Sequence, residues 1–101
     1  MRALIVEDDA LSARVLHLTL NTHFDTVCTD DAERSFSAYM QALDGDAPFD
    51  VVLLDLMLPG ESGLTVLERI RTVETERGLA RVPVLVTTAV TDITIALRAF
   101  E

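Results

Sequence analysis

Val51-Val52-Leu53-Leu54 is an unbroken apolar run that stops at an acid, Asp55. A strand facing solvent on one side alternates apolar and polar residues. A run without alternation belongs at the centre of a parallel sheet that is covered on both faces. That requirement constrains the whole chain, because parallel neighbours need crossover segments, usually helices. The sequence supplies them. Ala3-Leu4-Ile5-Val6 is a second short apolar run ending at Glu7-Asp8-Asp9, and Ala10 to Asn21 follows with Leu11, Val15 and Leu18 at helical spacing beside Leu16 and Leu20.

Further on, Thr26-Val27-Cys28-Thr29 reads as a weaker strand. Asp30 is placed to cap a helix running to about Leu43, with Glu33 three residues after it. Asp44-Gly45-Asp46-Ala47-Pro48 has the composition of a loop. After the central run, Leu58-Pro59-Gly60-Glu61-Ser62-Gly63 is again a loop. A long helix is expected from about Leu64 to Arg77, with Gly78 at its end. Val84-Leu85-Val86-Thr87 is the fourth strand, and Thr91 or Asp92 caps a last helix still running at Glu101. The order βαβαβαβα predicts an α/β fold with a parallel sheet, right-handed crossovers and helices on both faces.

A chain of 101 residues is one domain. Its net charge of -9 disfavours direct nucleic-acid contact, because phosphates attract basic surfaces. Met1-Arg2 leads straight into the first strand without a signal peptide, and no stretch is long enough to span a membrane, so a cytoplasmic protein is expected. Cys28 is the only cysteine and reads as a small core residue.

Ligands of open parallel sheets sit outside the carboxyl ends of the strands. Here Glu7, Asp8 and Asp9 follow the first strand, Asp55 the third, and Thr87, Thr88 and Ala89 the fourth. Clustered carboxylates repel and raise one another's pKa unless a cation neutralises them. Hard oxygen ligands of this kind suit magnesium, which typically takes one or two carboxylates and keeps water and phosphate oxygens as its other ligands. A carboxylate beside such an ion can act as a nucleophile and form an aspartyl phosphate. A single acid after a strand is usually no more than a helix cap, and Asp8 or Asp9 fits that role. Asp55 is harder to dismiss, because it lies between Val51-Val52-Leu53-Leu54 and Leu56-Met57-Leu58-Pro59.

In Leu4-Ile5-Val6-Glu7-Asp8-Asp9, Val51-Val52-Leu53-Leu54-Asp55-Leu56-Met57-Leu58-Pro59-Gly60, Ser62-Gly63-Leu64 and Val82-Pro83-Val84-Leu85-Val86-Thr87-Thr88-Ala89, the chain resembles the receiver domains of two-component response regulators. The resemblance implies a flavodoxin-like, doubly wound sheet in the order 2-1-3-4. It implies Asp55 as phosphoacceptor and a Mg2+ ion held by Asp8, Asp55 and the backbone carbonyl of Met57, with Glu7 acting through water. Thr88 matches the hydroxyl that contacts the phosphoryl group. The implied partner is a sensor histidine kinase or a phosphotransfer protein. Such a domain is not an enzyme in the usual sense: it assists its own phosphotransfer and dephosphorylation.

The chain departs from the family in two respects. Residues 1–101 read as a receiver domain incomplete at its C-terminus, lacking the fifth strand and helix, and no lysine occurs anywhere among the eight basic residues. The family's missing part carries a lysine that pairs with the phosphate. An alternative is therefore an interaction module of receiver fold that phosphorylates inefficiently. A fourth-strand edge left open predicts a homodimer through that edge, or poor stability. Met57 and Val90, two residues after Asp55 and Thr88, are both apolar and cannot orient water by a strong hydrogen bond, so slow loss of the phosphoryl group is expected. Met57 also argues against an aspartyl-phosphate phosphohydrolase, which usually needs a second acid at that position. Glu7-Asp8-Asp9 argues against a flavodoxin-like cofactor site, since these acids would repel a phosphate.

Overall fold

Apolar residues on both faces of the central strands sort, with a period of two, into two separate cores. The computed structural model describes residues 1–58 and 62–87. Within them the order is β1 (Arg2–Val6), α1 (Ala10–Leu20), β2 (Asp25–Thr29), α2 (Ala32–Asp44), β3 (Val51–Asp55), α3 (Gly63–Arg77) and β4 (Val84–Thr87). The last expected helix, Thr88 and Val90 lie outside the described residues. All pairings are parallel, and the sheet order is β2-β1-β3-β4.

On one face Leu4, Val6, Val52 and Leu54 pack against Ala32, Tyr39 and Ala42 of α2 and Val66 and Ile70 of α3. On the other, Ala3, Ile5, Val51, Leu53 and Leu85 pack with Leu16 and Leu20 of α1. Each fully buried Leu- or Val-sized side chain contributes roughly 1.5–3 kcal/mol, so the two central strands carry much of the hydrophobic stabilisation.

Local chemistry sets where the helices begin and end. Asp9 caps α1 by accepting from the Ser12 amide at 2.9 Å. The cap of α2 is Asp31 rather than Asp30: Asp31 has the extended backbone of a cap and accepts from the Arg34 amide at 2.7 Å. Asp30 pairs instead with the Arg34 guanidinium at 3.4 Å, and Glu33, expected to complete a capping box, reaches Arg69 at 3.5 Å. Ser62 caps α3, and Gly78 closes it in the left-handed region at φ 65°, where glycine lacks the steric penalty of other residues.

Two expectations about packing are corrected. With α1 started by Asp9, the row Ser12, Leu16 and Leu20 faces the sheet, which leaves Leu11 69% and Leu18 53% exposed. Cys28 is exposed rather than in the core. It sits on edge strand β2 and faces a cleft where α1 offers only the small side chains of Ala10 and Ala13.

The turn from α3 into β4 is held by a buried acid. Glu74, 3% exposed, accepts from the Val82 amide at 2.6 Å and from Arg71 Nη1 at 2.8 Å. Arg71 Nη1 also donates to the Val82 carbonyl at 2.9 Å, and the Pro83 carbonyl next in sequence accepts from the Val52 amide of β3. Removing the carboxylate strands a buried amide and a partly buried guanidinium. Glu74→Ala is expected to destabilise the protein by about 3 kcal/mol, while Glu76→Ala, at an exposed position of the same helix, stays within about 0.5 kcal/mol. Urea denaturation of the two variants beside the parent checks this.

Candidate functional site

Strand register brings the acids together. Val6 lies opposite both Thr29 and Leu54, so Glu7, the next residue, emerges level with Asp55. Asp55 in turn lies opposite Thr87 of β4. One carboxylate oxygen from each of Glu7, Asp8 and Asp55 falls within 4.8 Å of the other two. Glu7 and Asp55 are buried, at 9% and 7% exposure, whereas Asp8 is exposed and forms the open side of the cluster.

Backbone around the cluster is closely fitted. The Met57 amide donates to Asp55 Oδ1 at 2.9 Å, which fixes the carboxylate's rotation. The Gly63 amide donates to the Leu56 carbonyl at 3.0 Å, and Met57 and Ser62 form an antiparallel bridge, so the segment after Asp55 closes on the start of α3. A Cβ at Gly63 would stand 2.2 Å from the Asp55 carbonyl oxygen. Only glycine lets α3 approach the acidic strand end this closely.

The electrostatics carry an unresolved charge. Burial, a hydrogen bond with Asp55 and the negative charges of Asp55 and Asp8 push Glu7 from its ordinary 4.5 up to about 8, with Ser12 opposing the rise. Glu7 Oε2 is buried without a hydrogen-bond partner. An orphaned carboxylate oxygen beside two more acids, in an all-oxygen donor set, fits a hard divalent cation such as magnesium. Beside the cluster, at the start of α1, the Ser12 hydroxyl donates to Asp9 Oδ2 at 2.6 Å and, with the Ser12 amide, holds Asp9 below the usual carboxylate range.

Of the residues expected at the site, the structure unites Glu7, Asp8, Asp55 and Met57. Thr88 lies outside the described residues. Asp9 is a cap and not part of the cluster. Sequence reasoning passed over Ser12, for which the spacing Asp9-Ala10-Leu11-Ser12, with a hydroxyl at the third helical position, was the available signal. Gly63 lay within the Ser62-Gly63-Leu64 match, but its approach to the Asp55 carbonyl is through space and no local pattern marks it. His17 bonds the Thr26 hydroxyl and is structural. A separate apolar hollow of about 330 Å³ at the opposite edge, lined by Tyr39, Leu43, Phe49 and Leu79, holds no comparable group of acids.

A parallel sheet in this order, with acids gathered at the carboxyl ends of two adjacent strands, defines a receiver-type fold. The response regulator receiver domain model matches residues 3–101, and the chain belongs to that family. Among relatives, it is 37% identical over 92 residues to the DNA-binding response regulator MtrA of Mycobacterium tuberculosis, covering 90% of this chain and 36% of that protein. It is 33% identical over 79 residues to the transcriptional regulatory protein AruR of Pseudomonas aeruginosa, covering 77% of this chain and 32% of that one. The chain thus spans about a third of the length of these relatives. The non-phosphorylated HemR receiver domain of Leptospira biflexa superposes with a TM-score of 0.70 at 29% identity, over 99% of this chain and 73% of the other. The receiver domain of the histidine kinase CKI1 of Arabidopsis thaliana, complexed with Mg2+ and BeF3-, gives 0.73 at 20% identity over 97% and 74%, a likeness of fold. Among the described residues no helix is long and apolar enough to cross a membrane.

Two outcomes follow from this geometry. In the folded, metal-free protein Glu7 holds a proton that the unfolded chain releases near pH 4.5. Its contribution to stability is fully present below that pH and is lost as pH rises through about 8. Stability measured in urea with a chelator is expected to fall over this window by at most about 1.4 kcal/mol per pH unit, and Glu7→Gln flattens the dependence. Gly63→Ala is expected to lower stability by about 2 kcal/mol or more, from overpacking against the Asp55 carbonyl, and thermal unfolding beside the parent measures it.

Proposed function

We propose that the chain is a phosphoacceptor: Asp55 takes a phosphoryl group from the phosphohistidine of a sensor histidine kinase or phosphotransfer protein. The observation that carries this reading is the convergence of the Glu7, Asp8 and Asp55 carboxylates within 4.8 Å at the carboxyl edge of the sheet. Asp8, Asp55, the Met57 backbone carbonyl and, through water, Glu7 would hold Mg2+. Bound there, the ion supplies positive charge against the phosphoryl oxygens and the neighbouring carboxylates.

The chain's own groups do the rest. The Met57 amide holds Asp55 Oδ1 in place, which leaves the second carboxylate oxygen to attack phosphorus. The new O–P bond forms as the P–N bond of the donor breaks, and the histidine nitrogen leaves with the electron pair. Glu7 would give up its proton if a cation were held there, and its orphaned Oε2 would then be free to accept a hydrogen bond. The Thr88 hydroxyl, one residue past the partner of Asp55 in β4, would donate to a phosphoryl oxygen. The transfer is a single covalent modification of the domain, which assists its own phosphorylation and dephosphorylation without acting as a turnover enzyme on a separate substrate.

In this reading residues 1–101 act as one receiver unit in the cytoplasm, without membrane contact. The net charge of -9 supports a domain that does not itself touch nucleic acid, even where a relative is a DNA-binding regulator. Support for the partner class comes from a neighbour of like fold, the receiver domain of Ssk1, solved with the histidine phosphotransfer protein Ypd1 of Saccharomyces cerevisiae, at 22% identity and a TM-score of 0.67. A second reading is a receiver-fold interaction module that phosphorylates inefficiently. A homodimer through β4 belongs with that reading.

Intact mass after incubation with magnesium and acetyl phosphate decides between them. The parent is expected to gain one phosphoryl group, Asp55→Asn none, and the label to be lost slowly after the donor is removed. A folded parent that gains nothing supports the interaction module.

A further inference from the structure

Met57 is the most exposed large apolar side chain among the described residues, at 79%, and it stands at the mouth of the acidic cluster. The other two methionines are Met1, 69% exposed at the chain start, and Met40, packed against the core of α2. Exposure at Met57 is enforced by backbone. Its amide is tied to Asp55 Oδ1 at 2.9 Å, and its bridge to Ser62 fixes the strand-like turn, so the side chain is directed to solvent. Standard bond lengths then place Met57 Cβ no more than about 5.5 Å from that Asp55 oxygen. The thioether, two bonds further out, is therefore an exposed group close to the Asp55 carboxylate.

A thioether is a weak acceptor and orients water poorly. A sulfoxide is polar, and its oxygen accepts hydrogen bonds strongly. We infer that Met57 is an oxidation site through which peroxide shortens the lifetime of the phosphoryl group on Asp55. This rests on Asp55 carrying that group, as proposed above. In the oxidation step the sulfur lone pair takes one oxygen from hydrogen peroxide, the O–O bond breaks and water is released; sulfur is oxidised and peroxide reduced. In the hydrolysis it promotes, a water bonded to the sulfoxide oxygen attacks phosphorus. The O–P bond to Asp55 breaks, the carboxylate is regained, and the water proton leaves with inorganic phosphate or passes to solvent. The Met57 backbone, which carries the amide to Asp55 and the carbonyl proposed for the metal, is unchanged by oxidation, so loading persists while decay quickens.

The test treats the protein with hydrogen peroxide, confirms Met57 sulfoxide by peptide mass, and removes the oxidant. Asp55 is then labelled with acetyl phosphate and magnesium, and decay of the label is followed after the donor is removed. The oxidised parent is expected to lose label about three to ten times faster than the untreated parent, the rate equivalent of one ordinary hydrogen bond to the attacking water. Met57→Leu, treated identically, keeps its decay rate, which excludes effects at Met1 and Met40. Met57→Gln, with an acceptor carbonyl in nearly the same place, decays faster without any peroxide. Unchanged decay in the oxidised parent, equal acceleration in Met57→Leu, or lost loading in place of shortened lifetime each overturns the inference. Absence of label on the untreated parent overturns the phosphoacceptor reading itself, and the inference with it.

Discussion

Repulsion among three carboxylates on one sheet edge is the constraint around which the molecule is arranged. Isolated, such a cluster would spread apart or pull the strand ends out of register. It holds because β1 and β3, which carry the acids, are buried along both faces and paired to each other residue by residue. Shifting one strand by a single residue would turn every inward side chain to the wrong core, a far larger loss than the repulsion. The hydrophobic interior thus supplies the rigidity, and the charged edge uses it. The remaining imbalance shows in Glu7, which keeps a proton and an unpartnered oxygen.

The edge is also braced from the side. Gly63 allows the start of α3 to lie against the Asp55 carbonyl, and Ser62 caps the same helix while bridging to Met57. At the other end of α3, Glu74 and Arg71 tie the helix to the entry of β4, whose last described residue, Thr87, stands opposite Asp55. One helix therefore connects both chain segments that flank Asp55. Few of these contacts are apolar. They are hydrogen bonds made in places where an unmet donor would be costly, which gives them sharper geometry than packing alone.

What was legible in the sequence follows from the range of the interactions. Continuous apolar runs such as Val51 to Leu54 have one stable location, so the strands and their parallel pairing could be read directly, the order 2-1-3-4 came with the family resemblance, and the acids at the ends of those runs are the ones the fold gathers. Signals decided by a choice between adjacent residues were less secure. Asp30 and Asp31 have the same side chain, and the backbone geometry of the turn, not composition, selects Asp31 as the cap. In α1, leucines occupy more than one helical face, so periodicity alone did not say that Leu11 and Leu18 would stay in solvent while Ser12 turned inward. Cys28 looked like core because it follows Val27 in a short strand, but its burial depended on what α1 presents across from it, and Ala10 and Ala13 are too small to cover it.

Met57 joins these lines of argument. Its backbone belongs to the rigid part of the site, bonded to Asp55 and bridged to Ser62, while its side chain belongs to solvent. That division separates two properties that a more buried residue would confound. The position of the Asp55 carboxylate is fixed by a main-chain amide that every amino acid except proline offers. The side chain instead contributes to what solvent meets beside that carboxylate. Chemistry at residue 57 can therefore change the surroundings of the Asp55 carboxylate without altering how Asp55 is held, and the same independence makes that geometry indifferent to which side chain stands there.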